Sequence, residues 1–331
     1  MRIIPETGIA RTSDFAAQTL EAESIPYPML WRIDALSFLL LTATACPAAT
    51  RQDGGGPAFM SVPVLSAGFH SLYAQNFSGA REQFDDWEAQ HPEEPFGEVA
   101  VAASYLFEEL FRQGVLSSDF FLNEKRFLNG IEGKPNTERM KSFEEAISLA
   151  RKLAKKRLAK DAREPEALFA LTLAAGMESN ADMMLRKQHI ESLKQLKEAN
   201  EYAKQLLAEQ PGADDAYVAL GSANYIIGSL SGGARFMLWF GGIHGDKKLG
   251  MEQLKKTIDN GRYLQPFAKI LLALAARREK QNIVAQRLLR ELSEEYPESP
   301  LFATEYAKAM AAASGESTRV PRSFCGQGFD H

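Results

Sequence analysis

Cysteine is almost missing from this 331-residue chain: Cys46 and Cys325 are the only two, so neither a disulfide framework nor a thiolate metal cluster can be built. Stability must come from packing. Histidine is nearly as sparse. His70, His91, His189, His244 and His331 include no pair at the i, i+4 spacing that sets two imidazoles on one helical face, which argues against a metal site. There is no Gly-x-x-x-x-Gly-Lys-Ser/Thr phosphate loop, no His-Glu-x-x-His helix and no Gly-x-Ser-x-Gly elbow, so no catalytic residue and no cofactor is expected. An excess of positive charge is also lacking. With a net charge of −5 at pH 7, the chain has no bulk attraction to phosphate backbones, and nucleic acid is not expected as a partner. No apolar run reaches the ~20 residues of a membrane-spanning helix.

What is there is a composition of 45% hydrophobic and 24% charged residues, ordinary for a soluble globular protein. The N-terminal region differs from the rest. Residues 1–28 have no sustained period. From Met29 the sequence MLWRIDALSFLLLTATAC places Arg32 before an apolar run from Ala35 to Leu41, then small residues up to Cys46, the layout of a secretory leader. This predicts translation from Met29, with 1–28 an upstream extension, 29–46 a signal peptide, 47–60 a linker, and export to the periplasm or envelope. Without that start the protein would be cytoplasmic. The competing reading makes 29–46 a first apolar helix, against which Pro47 and the run Gly54 to Gly56 mark a break. Cys46 also stands where a bacterial lipoprotein carries its lipid, the one membrane attachment expected, although Ala43 occupies a place where such signals prefer Leu or Val.

From residue 61 onward a period emerges. Counting from Ser61, Val64 falls at position 4, Gly68 at 8, Ala80 at 20, Phe84 at 24 and Pro92 at 32; only Trp87 departs, being large at a normally small position. A second unit opens in phase at Pro95, with Val101, Ala102 and Tyr105, then loses register where Gly114 occupies position 20. Leu168, Leu171 and Ala175 restore it. Ala199 and Pro211, followed by Tyr217, Leu220 and Gly221, make the strongest match, and Leu272, Ala273, Ala285, Leu289 and Pro297 complete a last pair before Tyr306 and Ala307. Small residues at recurring positions let paired helices approach, and proline closes each pair. In this pattern the chain resembles the tetratricopeptide (TPR) repeat proteins, whose unit is 34 residues. The resemblance implies an all-α, TPR-like helical-hairpin solenoid over 61–312 with a disordered tail over 313–331, interrupted by two insertions, about 108–136 and about 229–262. Residues 229–281, containing SGGARFMLWFGGIHGDKKLGMEQL and RYLQPFAKILLALAARREKQ, are loosely similar to the inclusion-body-clearance TPR proteins, which implies a scaffold.

The resemblance further implies that the first helix of each pair lines a concave groove. There the first two units place Val62, Leu65, Phe69, Leu72, Tyr73, Phe96, Val99, Ala103, Leu106 and Phe107, an apolar lining, and the Lys and Asn residues of carboxylate-clamping repeats are missing. Such a groove either receives an amphipathic segment of another protein or is filled by the Phe-rich stretch 108–128. Self-filling is favoured, because an open apolar surface of that size invites aggregation. Later units offer polar groove positions: Asp215, Ser222, Arg277, Arg278, Thr304 and Lys308. The candidate partner-binding residues are therefore Phe69, Tyr73, Phe96, Leu106, Asp215, Ser222, Arg277, Arg278 and Lys308, and the expected function is non-catalytic protein–protein interaction or scaffolding. Two alternatives stand beside it: an enzyme whose site lies around His244 and Asp246 in the glycine-rich insertion, and a structural protein that assembles with itself. The basic run Arg151, Lys152, Lys155, Lys156, Arg157, Lys160 and Arg163 reads as a solvated face rather than as a site.

Overall fold

Prolines and short polar caps lay out the helices. The computed structural model describes residues 58–230 and 244–317. Among them are thirteen α-helices and no strand. The expected leader, Cys46, the linker as far as residue 57, the centre of the second insertion and the end of the tail lie outside the described residues. The helices are α1 (Pro63–Tyr73), α2 (Phe77–Gln90), α3 (Pro95–Arg112), α4 (Ser118–Leu122), α5 (Glu124–Asn129), α6 (Thr137–Leu158), α7 (Pro165–Ala181), α8 (His189–Glu209), α9 (Tyr217–Ser229), α10 (Lys247–Asn260), α11 (Gln265–Arg278), α12 (Asn282–Glu295) and α13 (Pro300–Ser317). The last of these runs a few residues into the segment read as tail.

The helices pack as hairpins, α1 with α2, α3 with α6, α7 with α8, α9 with α10 and α11 with α12, with α13 laid against α12. The first members form an inner layer, since α1 touches α3, α3 touches α7, α7 touches α9 and α9 touches α11. The result is an all-α solenoid. Its two kinds of helix start differently. Four of the five inner helices begin on a proline at their first or second position, at Pro63, Pro95, Pro165 and Pro266, where the missing N–H costs nothing. Three outer helices begin on a side-chain cap: Asn76, Asn136 and Asp246 each accept a backbone N–H from three residues on. Four of the inner-to-outer turns pass through a left-handed residue: Gln75, Gly114, Lys187 and Lys280.

Both insertions fall at the same point of a hairpin. Residues 113–136 separate α3 from its partner α6, and residues 230–246 separate α9 from α10. The loss of register at Gly114 is therefore an interrupted hairpin, and α6 is the outer helix of the second pair. The first insertion ends against the third hairpin, where the N–H of Ile131 donates to the carbonyl of Met184 at 2.9 Å. Gly130 has φ +68°, and a Cβ there would stand 2.6 Å from that same oxygen.

Small residues set the seams. A Cβ on Gly68 would lie 2.2 Å from Phe84 Cε1, and one on Gly221 would lie 2.9 Å from the carbonyl of Gly250. Ala80, Ala102, Ala199, Ala273 and Ala285 are buried. Trp87, the misfit by size, is accommodated because the opposing residue is Gly97, and its indole stacks on His91 at 4.5 Å.

Charged clamps tie neighbouring hairpins together. Arg157 pairs with Glu94, Glu164 and Glu166, and Arg151 with Glu178 and Glu198. The basic run on α6 is thus not one solvated face: its two half-buried arginines are held by carboxylates of adjacent helices, while Lys152, Lys155 and Lys160 are exposed.

The seam makes a contrast measurable by thermal unfolding. Gly68→Ala must displace Phe84 and is expected to cost about 1–3 kcal/mol. Gly176→Ala, with nothing within 4 Å of the new methyl group, is expected to stabilise by roughly 0.5–1 kcal/mol by the usual helix-interior gain. Equal effects would contradict the seam.

Candidate binding site

The concave face is closed by the chain itself, and the closing piece comes from the turn between α10 and α11. Asp215, 1% exposed, accepts the N–H of Arg262 at 3.0 and 3.1 Å, of Leu264 at 2.9 Å and of Tyr263 at 3.4 Å. Burial raises its carboxyl to about 6, opposed by those backbone donors. The turn so fixed sets the Tyr263 ring against both Phe69 and Phe96, with centroids at 5.0 and 5.2 Å, and Phe96 in turn stacks on Phe169 at 5.1 Å. The Tyr263 hydroxyl donates to the carbonyl of Phe59 and accepts the N–H of Val62, both at 2.9 Å. Tyr73 donates to the carbonyl of Tyr263 at 2.9 Å. Burial pushes the Tyr263 phenol up to about 12.

Next to this plug, α11 lies against the first two hairpins, with Phe267 edge-on to Phe107 at 5.5 Å. The expectation of a self-filled groove holds, but the filler differs: Tyr263 and Phe267 occupy it, not residues 108–128. The Phe-rich insertion instead sits at the edge. Phe120, Phe121 and Phe127 pack on one another, Ser118 accepts from Arg277, and Asp119 pairs with Lys308 at 2.7 Å.

Closure is incomplete. A cavity of about 50 Å³ remains where α1, α11, α13 and the start of α4 meet. Tyr73, Phe77, Phe107, Phe267 and Phe302 give it an aromatic wall, and Ile270 and Leu274 of α11 add aliphatic surface. Its polar groups are few. Arg277 donates to Ser118, and Arg277 Nη1 stands 3.7 Å from Glu305 Oε2. The other oxygen of Glu305 accepts from Lys308 at 2.9 Å. Gln75 reaches in from the end of α1 and donates to Ser299 Oγ at 2.8 Å. Two buried acceptors, Gln75 Oε1 and Glu305 Oε2, accept no hydrogen bond from any described residue.

The expected partner-binding residues divide accordingly. Tyr73 and Arg277 line the cavity. Phe69, Phe96 and Asp215 hold Tyr263, Leu106 is buried in the core, and all of them are covered by the chain itself rather than open to a partner. Lys308 is engaged by Asp119 and Glu305. Ser222 donates back to the carbonyl of Ala219, and Arg278 is half-buried where its charge reaches the Tyr225 phenol. Asp246 caps α10 through the N–H of Leu249 at 3.0 Å, and His244 is exposed. Sequence reasoning missed Gln75, Ser118, Tyr263, Phe267 and Glu305. The run Asp214-Asp215 facing a glycine-led turn was a usable signal for Tyr263; nothing local marked the others.

No protein-family model matches the chain, and no curated protein is significantly similar to it.

If Tyr263 closes the face, Tyr263→Ala should destabilise by about 3–5 kcal/mol. Tyr263→Phe, which strands the Val62 N–H and the Phe59 carbonyl, should cost roughly 1–3 kcal/mol. Chemical denaturation measures both; a Phe variant as stable as the parent would remove the hydroxyl from the account.

Proposed function

We propose that this chain is a non-catalytic binding module of the TPR type and that its recognition site is the cavity left on the closed concave face. One observation carries the reading: a cavity walled by five aromatic rings remains on an otherwise closed face, with the Arg277–Glu305 pair at its edge. The paired inner and outer helices, with small residues at the 34-residue positions, support the TPR assignment; the loose likeness of 229–281 to the inclusion-body-clearance proteins adds a scaffold and no chemistry. A partner's whole amphipathic helix has no room beside Tyr263 and Phe267, so what binds here is small.

Xenon, a single apolar atom that suits a cavity of about 50 Å³, is a sufficient probe. It should raise the melting temperature of the wild-type chain in a concentration-dependent way, because a ligand that binds only the folded state stabilises it by mass action. Leu274→Trp, which fills the cavity, should abolish the shift while circular dichroism stays helical. A shift that survives this substitution, or no shift at all, would sink the reading.

The same proposal includes export from a start at Met29, on the strength of the Arg32-to-Cys46 layout. The mass of the mature N-terminus decides it: cleavage after Ala45, with or without a lipid on Cys46, is expected, and recovery of peptides from residues 1–28 would overturn it.

A further inference from the structure

The cavity has one wall unlike the others, and on the reading of it as a recognition site that wall controls entry. Most of the lining stands on α1, α2, α3, α11, α12 and α13, the shortest of which has 11 residues, and each is packed along a neighbouring helix. Leu116 and Ser118 instead come from the first insertion. The insertion is fastened at both ends. Val115 is buried and donates its N–H to the carbonyl of Leu110 at 2.9 Å, and Ile131 is buried and bonded to the carbonyl of Met184.

Between these anchors the hold is slight. α4 and α5 have five and six residues, far short of the ~12–15 at which an isolated helix is even marginal. Within residues 116–129 only Ser118 and Phe120 are buried, while Leu116, Phe121 and Phe127 are half-covered. α5 buries no residue at all. Two polar links to other helices are found among the described residues: Ser118 accepts from Arg277, and Asp119 pairs with Lys308 at 2.7 Å. The Asp119 side chain is 59% exposed, and a pair so open to water contributes little by itself. Phe120 therefore pins the strap. It is 2% exposed, with Phe121 and Phe127 edge-on to it at 5.4 and 6.4 Å. Phe120 is not part of the cavity lining, so the pin and the wall are different residues.

We infer that residues 116–129 form a gate over the cavity, pinned by Phe120 and latched by the Asp119–Lys308 and Ser118–Arg277 contacts, whose local opening admits an apolar occupant while the helical walls stay in place. Segments that cover binding sites come from the least stable parts of a fold, because they must open without unfolding the rest. The rate of entry is then set by the strap rather than by the cavity.

Two measurements on the full chain test this: hydrogen exchange by mass spectrometry, which reads local opening, and xenon saturation-transfer NMR, which reads how fast the atom enters and leaves. In the wild-type chain the amides of α4 and α5 should exchange at least about tenfold faster than those of α1 and α11. Phe120→Ala should speed the strap amides by at least about tenfold, the usual consequence of truncating a buried ring, and should raise the xenon exchange rate with them. Asp119→Lys covers the case in which Phe120→Ala disturbs α1 or α11 as well. It breaks the latch from the exposed side and should move both readings the same way by at least about threefold. Strap amides as protected as those of α11, or a xenon rate unmoved when the strap amides speed up, overturns the gate and leaves the cavity as a site. No bound xenon overturns the function proposed above, and the gate with it.

Discussion

Asp215 is a carboxylate placed where a carboxylate is expensive. It is fully buried, with its charged form disfavoured, and it is retained because the backbone N–H groups of Arg262, Tyr263 and Leu264 converge on it. This contact turns the chain sharply between α10 and α11. It also requires Gly261, where a Cβ would stand 2.8 Å from the carboxylate and 2.5 Å from the carbonyl of Thr257. Everything on the concave face follows from that turn. It aims Tyr263 at Phe69 and Phe96, brings α11 against the first hairpin, and so determines that the first and last parts of the array touch.

Contact between the ends changes what kind of object the solenoid is. In an open array each hairpin touches only its neighbours, and stability adds up along one dimension. Here Tyr73 of α1 meets Tyr296 at 5.9 Å, Gln75 reaches Ser299 and His70 lies 3.5 Å from Glu298. The first insertion strengthens the closure from the side. Because it sits in an inner-to-outer turn, it emerges where the inner helices end, and α4 can therefore reach Arg277 at the end of α11 and Lys308 on α13. A stretch that reads in sequence as an aromatic plug acts as a strap across one edge.

The local features were legible. Proline at the start of inner helices, Asn or Asp before outer ones, and Gly68, Ala80 or Gly221 at seams are all statements about neighbours in sequence or one hairpin away. The filler of the groove was not. Phe69 and Tyr263 lie nearly two hundred positions apart, and whether they meet depends on the small rotation added by every hairpin between them, which no single residue encodes. The Phe-rich insertion was the natural choice because it was near and apolar. Arg277 and Lys308 were expected to be polar groove residues; in the structure they are engaged by carboxylates of the insertion and of α13 itself. Gln75, just past the end of α1, and Glu305, within α13, carry no local mark in the sequence. Only the meeting of the two ends buries them.

That meeting also explains why the cavity is informative. Within a hairpin the chain fits alanine and glycine to phenylalanine and leucine closely enough that one added methyl group would collide. Between the ends it leaves a cavity of about 50 Å³. A fold that is economical at its seams and costly at its closure has its cost concentrated in one place. The same place holds the aromatic wall and the Arg277–Glu305 and Lys308–Asp119 pairs, so an apolar occupant there would recover packing that the closure leaves unmade.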